Sequence, residues 1–590
     1  MAMIPRRSTF LSGTILGLCG AVMASPGVAQ QAQDTTKKVP PPAPGAIHCA
    51  GQVVSRIDVH AYPPFTPGGP KFINHVVQLA TSLHATTRPR IVTRFLTLNV
   101  GDRCTEFERA ESERILRAQP YLAEADVRAY PDSAGGVVLD VTTVDEVSLI
   151  LDGNIATASP HVRALRIGEA NLGGEAIYSS LAWQRGTIFR DIFRARVIDY
   201  QFLGRPYQMS VQGSRNELGE SWDTELSHPF YSERQRFSWR ATAGSSNGYV
   251  YFARPEGIPE PALQLVRSYG DVGGVMAFGP DRRLLLVGAS VSRERERTSQ
   301  TPVLIRDSGV VDDTNSVLIG RYGEHRLTRI NALLGLRNIS YMRVTGFDAL
   351  EGAQDVRTGA QLSTLLGKGL SFDGNEPDYF MSGDVYGGRG SPTSFVAAEI
   401  MGERRYDVSS HDWDGILASG RGAWYVKPTP RHTLVTDVEW SGGWQQRVPF
   451  QLTFSDREGG LRGYHDSGLG GAQRLVSRFE DVFRLGRFRQ FGALGSAFFV
   501  DAGKLWAGDA PFGTTTGVKF SAGIGILAAF PPRSHRTWRV DFAVPVNDKH
   551  DAKFEIRFTN HDFTRWFWRE PGDVQASRER SIPNSVYNWP

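Results

Sequence analysis

Long apolar runs are scarce in this chain. Past the N-terminus no stretch reaches 18 uninterrupted apolar residues, so a helix that crosses a bilayer is not expected. A surplus of one charge is also missing. The 66 Lys and Arg against 62 Asp and Glu leave a formal charge of +4, and nothing points to nucleic acid. Catalytic and ligand signatures are absent too. There is no H-E-x-x-H, no P-loop and no C-x-x-C, and the 13 histidines show no ligand spacing. Gly244-Ser245-Ser246-Asn247-Gly248 fits G-x-S-x-G formally, but that elbow needs a strand before it and a helix after it. Asn247-Gly248 reads instead as a hairpin turn between strands Phe237–Ala243 and Tyr249–Phe252. His411, Asp412 and Asp414 read as a polar loop. No metal, cofactor or enzymatic activity is predicted.

Cysteine is nearly absent, at 3 residues, and Cys19 lies in a segment expected to be removed. Arg6 and Arg7 precede the apolar run Phe10 to Met23, and Gly27-Val28-Ala29 supplies small residues for cleavage. Residues 1–29 read as a secretory signal peptide. Export leaves Cys49 and Cys104 in an oxidising compartment, where a disulfide is expected; the other reading is two free thiols. The bridge would close a loop of roughly 56 residues and stabilise the fold by about 4 kcal/mol. An exported chain without spanning helices is periplasmic, secreted or a β-barrel.

What the chain does have is glycine and alternation. The 63 glycines exceed the usual share of about 7%. A Pro-rich linker at 30–48, with Pro40-Pro41-Pro42, precedes a compact α+β segment at 49–148. There Val53, Ser55, Ile57 and Val59 alternate with Gln52, Arg56 and Asp58. Phe72, Val76, Leu79 and Leu83 recur at helical spacing, and Thr105 with Glu108 forms a capping box for a helix ending near Pro120. Strands Tyr121–Tyr130 and Val137–Val144 follow.

From about 160 to 568 helical periodicity disappears. Val518, Phe520, Ala522, Ile524 and Ile526 oppose Lys519, Ser521, Gly523 and Gly525. Trp538, Val540, Phe542 and Val544 oppose Arg539, Asp541 and Ala543. Leu434, Val438 and Trp440 oppose Val435, Asp437 and Glu439. A soluble sandwich alternates as well, so alternation alone does not decide. Length favours a barrel: some 400 residues at about 25 per strand and connection give 16 antiparallel strands. The mean hydropathy of -0.28 is compatible, because only alternate residues need face lipid.

One pair of motifs is specific. Leu461-Arg462-Gly463-Tyr464 lies in a Gly-rich loop, and Phe499-Val500-Asp501-Ala502-Gly503 on a candidate strand. By parity Val500, Phe498 and Leu494 face lipid while Asp501 faces inward with Ala497, Gly495 and Gly503. This combination resembles the BamA/TamA superfamily of outer-membrane assembly and translocation barrels, which includes two-partner-secretion transporters. The resemblance implies that Arg462 sits at the tip of a loop tucked into the barrel and meets Asp501. Residues 49–148 resemble a single POTRA domain, through Leu98-Asn99-Val100-Gly101-Asp102, Glu111 to Arg117 and Val141 to Asp145. Gly204-Arg205-Pro206 and His228-Pro229-Phe230-Tyr231 resemble the family's early hairpins.

The expected fold is therefore mainly β: a 16-stranded antiparallel transmembrane β-barrel at 160–568 after one POTRA-like periplasmic domain at 49–148. Phe563, Trp566, Phe567 and Trp568 read as an aromatic belt, and the polar tail 569–590 is expected outside the barrel. The resemblance implies a bacterial outer-membrane protein that inserts polypeptides into that membrane or translocates them across it. Its partners would be outer-membrane lipid, an unfolded or exported polypeptide client, and periplasmic or membrane assembly partners. A passive pore or structural barrel without a client is the alternative.

Overall fold

The computed structural model describes residues 45–65, 84–156, 161–185 and 191–580, except 256–257, 307–308, 315, 373, 456–458, 466, 489–490, 548–553, 563–566 and 568. The expected signal peptide, most of the linker, the helix at Phe72–Leu83 and the aromatics Phe563, Trp566 and Trp568 lie outside the described residues. Among the described residues no helix is long and apolar enough to cross a membrane.

The N-terminal unit is a small α+β layer. Strand β1 (Ala50–Tyr62) is followed by the short helix α1 (Pro89–Thr93), strand β2 (Arg103–Thr105), helix α2 (Glu106–Arg117) and strands β3 (Leu122–Pro131) and β4 (Val137–Asp145). The sheet order is β2-β1-β4-β3, with β1 parallel to β4 and the other pairs antiparallel. Helix α2 starts where Thr105 can cap it. The Thr105 hydroxyl accepts from the Glu108 amide at 3.3 Å and donates to its carboxylate at 2.7 Å, occupying an amide with no intrahelical partner. Cys49 and Cys104 are joined, their Cα atoms 5.1 Å apart, inside a small core with Val54, Leu98, Val137 and Leu139.

Most of the described residues beyond this unit form one closed antiparallel sheet, and Leu452–Thr453 pairs with Gly470–Gly471 in a separate two-stranded ribbon. The alternation of the closed sheet is inverted relative to a soluble sandwich. In the strand Arg283–Thr298 every second residue is buried. The buried set includes Ser290, Ser292, Glu294 and Glu296, whereas Leu285, Val287 and Val291 are exposed. The same holds around the wall: Ile330, Ile400 and Ile524 are more than half exposed, while Arg329, Arg337, Arg405 and Arg474 are at most 2% exposed. Charges inside and branched apolar side chains outside suit a wall with lipid around it and a polar lumen. On their strands Phe520, Ile524 and Ile526 point outward, and Asp501 and Asp541 inward.

Three boundaries differ from the sequence reading. The wall begins at Leu149, with three residues between it and the N-terminal sheet, rather than near 160. The closed sheet includes 22 strands among the described residues, two of them the short hairpin Val303–Arg306 and Gly309–Asp312, so that twenty strands form the wall rather than 16. The length arithmetic failed because it assumed uniform strands. The first six, from Leu149–Ala156 to Gly219–His228, have only 8 to 10 residues and tight connections, and the eleven between Phe237 and Trp506 have 13 to 22. Asn247-Gly248 is not a turn: Phe237–Tyr251 is one strand of 15 residues, and both positions pair in register with Val266 and Leu265.

The tail differs as well. The last wall strand is Glu555–Asp562, and the chain beyond it runs into the lumen rather than outside. Phe567 packs on Tyr386 and under Arg421, and the helix α3 (Gly572–Ser577) buries Val574 completely among Leu417, Phe450 and Leu452. A polar tail suits this place because the lumen wall is itself charged.

The N-terminal unit lies across one mouth of the barrel. Ile91, Phe95, Ile115 and Tyr121 form one apolar core with Ala176, Ile198, Tyr200 and Tyr231 from the wall's turns. Ion pairs ring this core: Arg117–Asp355 at 2.9 Å, Arg343–Glu113 at 2.9 Å and Arg533–Glu124 at 2.8 Å. Burial pushes the Glu111 carboxyl up, but Arg114, the Glu233 amide and Arg337 outweigh it and hold Glu111 below the ordinary carboxylate value. Gln201, near Gly204, accepts from Arg94 of the unit and Tyr231 packs edge-on to Phe95, whereas Phe230 packs on wall residues such as Val275 and Leu333.

Candidate functional site

The candidate site is where the loop 445–472 folds back into the lumen. It leaves the strand His432–Trp444 at the mouth opposite the N-terminal unit and returns into Gln473–Phe488. Phe454, Leu461, Tyr464 and Leu469 anchor it on Val476 and Leu505 of the wall. Two glycines make the approach possible. Gly503 faces the loop, and a Cβ there would come within 2.9 Å of Phe454 and 3.0 Å of Leu461. Gly463 has φ +86, which a residue with a side chain rarely adopts. The turn at Gly463 aims Arg462 at the wall, and the Gly463 amide donates to Glu555 at 3.0 Å.

Arg462 is 8% exposed and fully engaged. Its Nε and Nη2 donate to the two oxygens of Asp501 at 2.8 and 2.6 Å, and its Nη1 to Glu480 at 2.9 Å. The backbone amide of Arg462 also reaches Asp501 at 3.3 Å. The guanidinium lies 3.5 Å from the centroid of the Phe499 ring, a cation–π stack. Phe499 needs space in turn. It lies over Gly523 of the adjacent strand, where a Cβ would come within 2.4 Å of the ring. Tyr464 is completely buried and its hydroxyl donates to the Phe520 carbonyl at 3.3 Å.

Leu461, Arg462, Gly463, Tyr464, Asp501 and Gly503 thus converge. Cys49 and Cys104 lie in the N-terminal unit, apart from them. Asp414 pairs with Arg405 at 2.6 Å rather than with His411 and Asp412. Sequence reasoning missed half of the cluster. Glu480 bridges Arg462 and Arg539, the latter at 2.6 and 2.8 Å, and Arg539 also binds Asp541 at 2.6 Å. Arg478 spans Asp437 and Glu439 and donates to the loop carbonyls of Gly459 and Gly460 at 2.8 and 3.1 Å. The available signal was parity: each of these charges shares its strand's inward face. The arrangement is a clasp. An unpaired charge in such an interior is costly, so each member holds the others in place.

A second feature lies near the seam between the last and first strands. A cavity of about 550 Å³ is lined there by Arg166, Arg194, Arg196 and Arg557, with Ser180, Gln212 and Thr559.

A closed wall with charges inward, apolar side chains outward and a clasped inner loop is the architecture of a membrane-spanning β-barrel. Residues 418–561 match the Omp85 superfamily domain, and both Arg462 and Asp501 lie within that match. No curated protein matches the chain. Among solved structures the chain is similar to CdiB from Escherichia coli, at 12% identity and TM-score 0.37, covering 88% of this chain and 91% of that one. It is also similar to CdiB from Acinetobacter baumannii, at 8% identity and TM-score 0.40, covering 86% and 73%. BamA from Haemophilus ducreyi lacking POTRA domains 1-3 is similar at 11% identity and TM-score 0.35, covering 80% and 81%.

Proposed function

We propose that this protein inserts polypeptide segments into the bacterial outer membrane or passes them across it, with its N-terminal POTRA-like unit in the periplasm. The observation that carries this reading is the Arg462 loop, clasped to the wall inside the part that matches the Omp85 superfamily domain. The clasp would fix the lumen and hold the last strand through Glu555, so that the wall parts most easily where that strand meets the first. Those strands are short, with 8 residues in both Leu149–Ala156 and Glu555–Asp562. Short strands share few backbone hydrogen bonds, so parting them costs least there. A client would reach the seam by adding a strand to an exposed sheet edge. The inner loop and the tail occupy the lumen beside the clasp, which favours the seam over the lumen as the client's route. No nucleotide or metal enters this mechanism; the client's folding in lipid drives it.

The test is a deletion strain whose outer-membrane and secreted proteins are quantified. Loss of several other barrels supports insertion, and retention of one exported substrate supports translocation. Complementation with Arg462→Ala should fail in either case. An unchanged protein profile on deletion would overturn the proposal in favour of a passive barrel.

A further inference from the structure

The tail meets the wall at a set of side chains from five separate strands. Arg421 donates to the Phe567 carbonyl at 2.6 Å. Glu570 accepts from Ser419 and from Arg578 Nε, the latter at 2.5 Å. Asp573 accepts both arms of Arg474 at 2.6 and 3.0 Å. Arg578 reaches Glu403 at 2.8 Å, and Glu579 lies 3.3 Å from Arg329. Arg267 donates to the carbonyls of Ala576 and Arg578 at 2.7 and 3.0 Å. The wall groups come from Pro261–Phe278, Glu324–Thr345, Ser394–Asp407, Asp412–Thr429 and Gln473–Phe488. Each wall charge faces a tail group that can satisfy it: arginine meets carboxylate or carbonyl, and glutamate meets arginine. Such complementarity along eleven successive residues is what a peptide-binding site shows.

The character of the contact says what kind of occupant this is. Among the described residues, apolar anchoring of the tail rests on Phe567, Pro571 and Val574. Everything else is charge-assisted hydrogen bonding inside a polar lumen, which water can replace when the partner leaves. Some wall charges also keep partners of their own: Arg329 binds Asp378, and Arg267 binds Glu294 and Glu296. Removing the tail leaves those pairs in place, while Arg474 keeps the Thr453 carbonyl and water takes over from Asp573 at Arg474 and from Arg578 at Glu403. A permanent core segment would be held by apolar burial instead.

We propose that the barrel lumen is a peptide-binding site whose resident occupant is the chain's own segment Glu570–Arg580, held by ion pairs and removable from the lumen without unfolding the wall. The kind of ligand the site takes is a short segment with alternating acidic and basic side chains. This goes beyond the transport reading and does not depend on it, because occupancy can be measured with no client present.

The test places a cysteine reporter under the tail, Ser419→Cys, in the full-length protein reconstituted in phosphatidylethanolamine–phosphatidylglycerol vesicles. The rate of reaction with a charged methanethiosulfonate is followed, and heat-modifiable migration on gels checks that each barrel is folded. Adding Asp573→Arg, or ending the chain at Arg569, should raise the rate by about an order of magnitude or more, since access no longer waits for local opening. Adding Arg474→Asp to Asp573→Arg should restore the slow rate. In the reporter protein with its tail intact, higher salt should speed the reaction, because screening weakens the anchoring pairs. Folded barrels with Asp573→Arg and with the truncation that react at the parental rate would overturn the site. A charge swap that stays fast would overturn recognition by ion pairs, and a salt-independent rate would overturn removability.

Discussion

The wall has two unlike regions. Between Phe237 and Trp506 the strands run to 22 residues, their inner faces carry paired arginines and carboxylates, and the inner loop and tail are fastened to them. Around the seam the strands have 8 to 11 residues, and the lumen holds the arginine-lined cavity. At about 3.3 Å per residue and a tilt near 45°, a strand of 8 residues rises roughly 19 Å, less than the apolar band of about 25 Å. The long strands overshoot that band. The same alternating pattern therefore builds a stiff, overlong side and a thin, weakly bonded side. Rigidity in this barrel follows strand length more closely than lumenal charge pairing, because Arg539, Asp541 and Glu555 carry the pairing onto the short strands beside the seam.

The largest expected effect comes from breaking the clasp. Arg462→Ala leaves Asp501, which is 0% exposed, without its main partner, and should cost about 3–5 kcal/mol. Denaturant unfolding in detergent measures it, and the cycle with Asp501→Ala should be strongly non-additive. Additive losses would mean that the clasp is not one unit.

Next comes the outer face. Ile524→Arg, on a strand of 11 residues, should cost about 2–4 kcal/mol in refolding into lipid if it sits near the midplane. Leu181→Arg, on a strand of 8 residues, should cost less, because every residue of a short strand lies nearer an interface. Equal costs would erase the difference between the two sides.

Gly523→Ala should cost about 1–3 kcal/mol by meeting the Phe542 carbonyl and by pushing Phe499 from beneath Arg462. The loss should shrink when Phe499 is also changed to Leu, as measured by thermal melting. A cost independent of Phe499 would place the strain elsewhere.

The smallest effect concerns the docked N-terminal unit. In the folded protein Glu111 is held below its ordinary pKa, first by Arg114 of its own helix and then by the Glu233 amide and Arg337 of the wall. Its contribution to folding is therefore present above the unfolded value and is lost as pH falls through the folded one. Hydrogen exchange of helix α2 should quicken on acidification, and Glu111→Gln should flatten that response. A pH response identical to that of the parent protein would remove Glu111 from the docking balance.

The sequence made the class of fold legible because alternation is local. The inward parity of Asp501 follows from Phe498 and Val500 alone, and the Leu461–Tyr464 loop carried its own signature. Strand number was not legible, because the short strands near 149–228 differ from the long ones in length and not in pattern. Glu480 and Arg539 were hidden for a related reason. Lumenal charges on separate strands become partners only through register, and register is a property of the closed sheet. The tail misled most. Polarity after an aromatic stretch reads as solvent exposure, yet a polar segment also suits an interior that is itself charged.

The tail leaves the last strand at the mouth that the N-terminal unit covers. Its described residues lie in the lumen, and the strand that precedes them ends at Asp562, opposite Arg536, which itself bonds to the Pro120 carbonyl of the lid. The two movements are then linked equilibria: a docked lid detains the tail, and a tail in transit holds the lid ajar. During biogenesis the lumen has to be threaded before it is closed. A mutation that merely tightens the lid against Tyr231 or Asp355 would slow the tail's exchange without touching any residue that binds it.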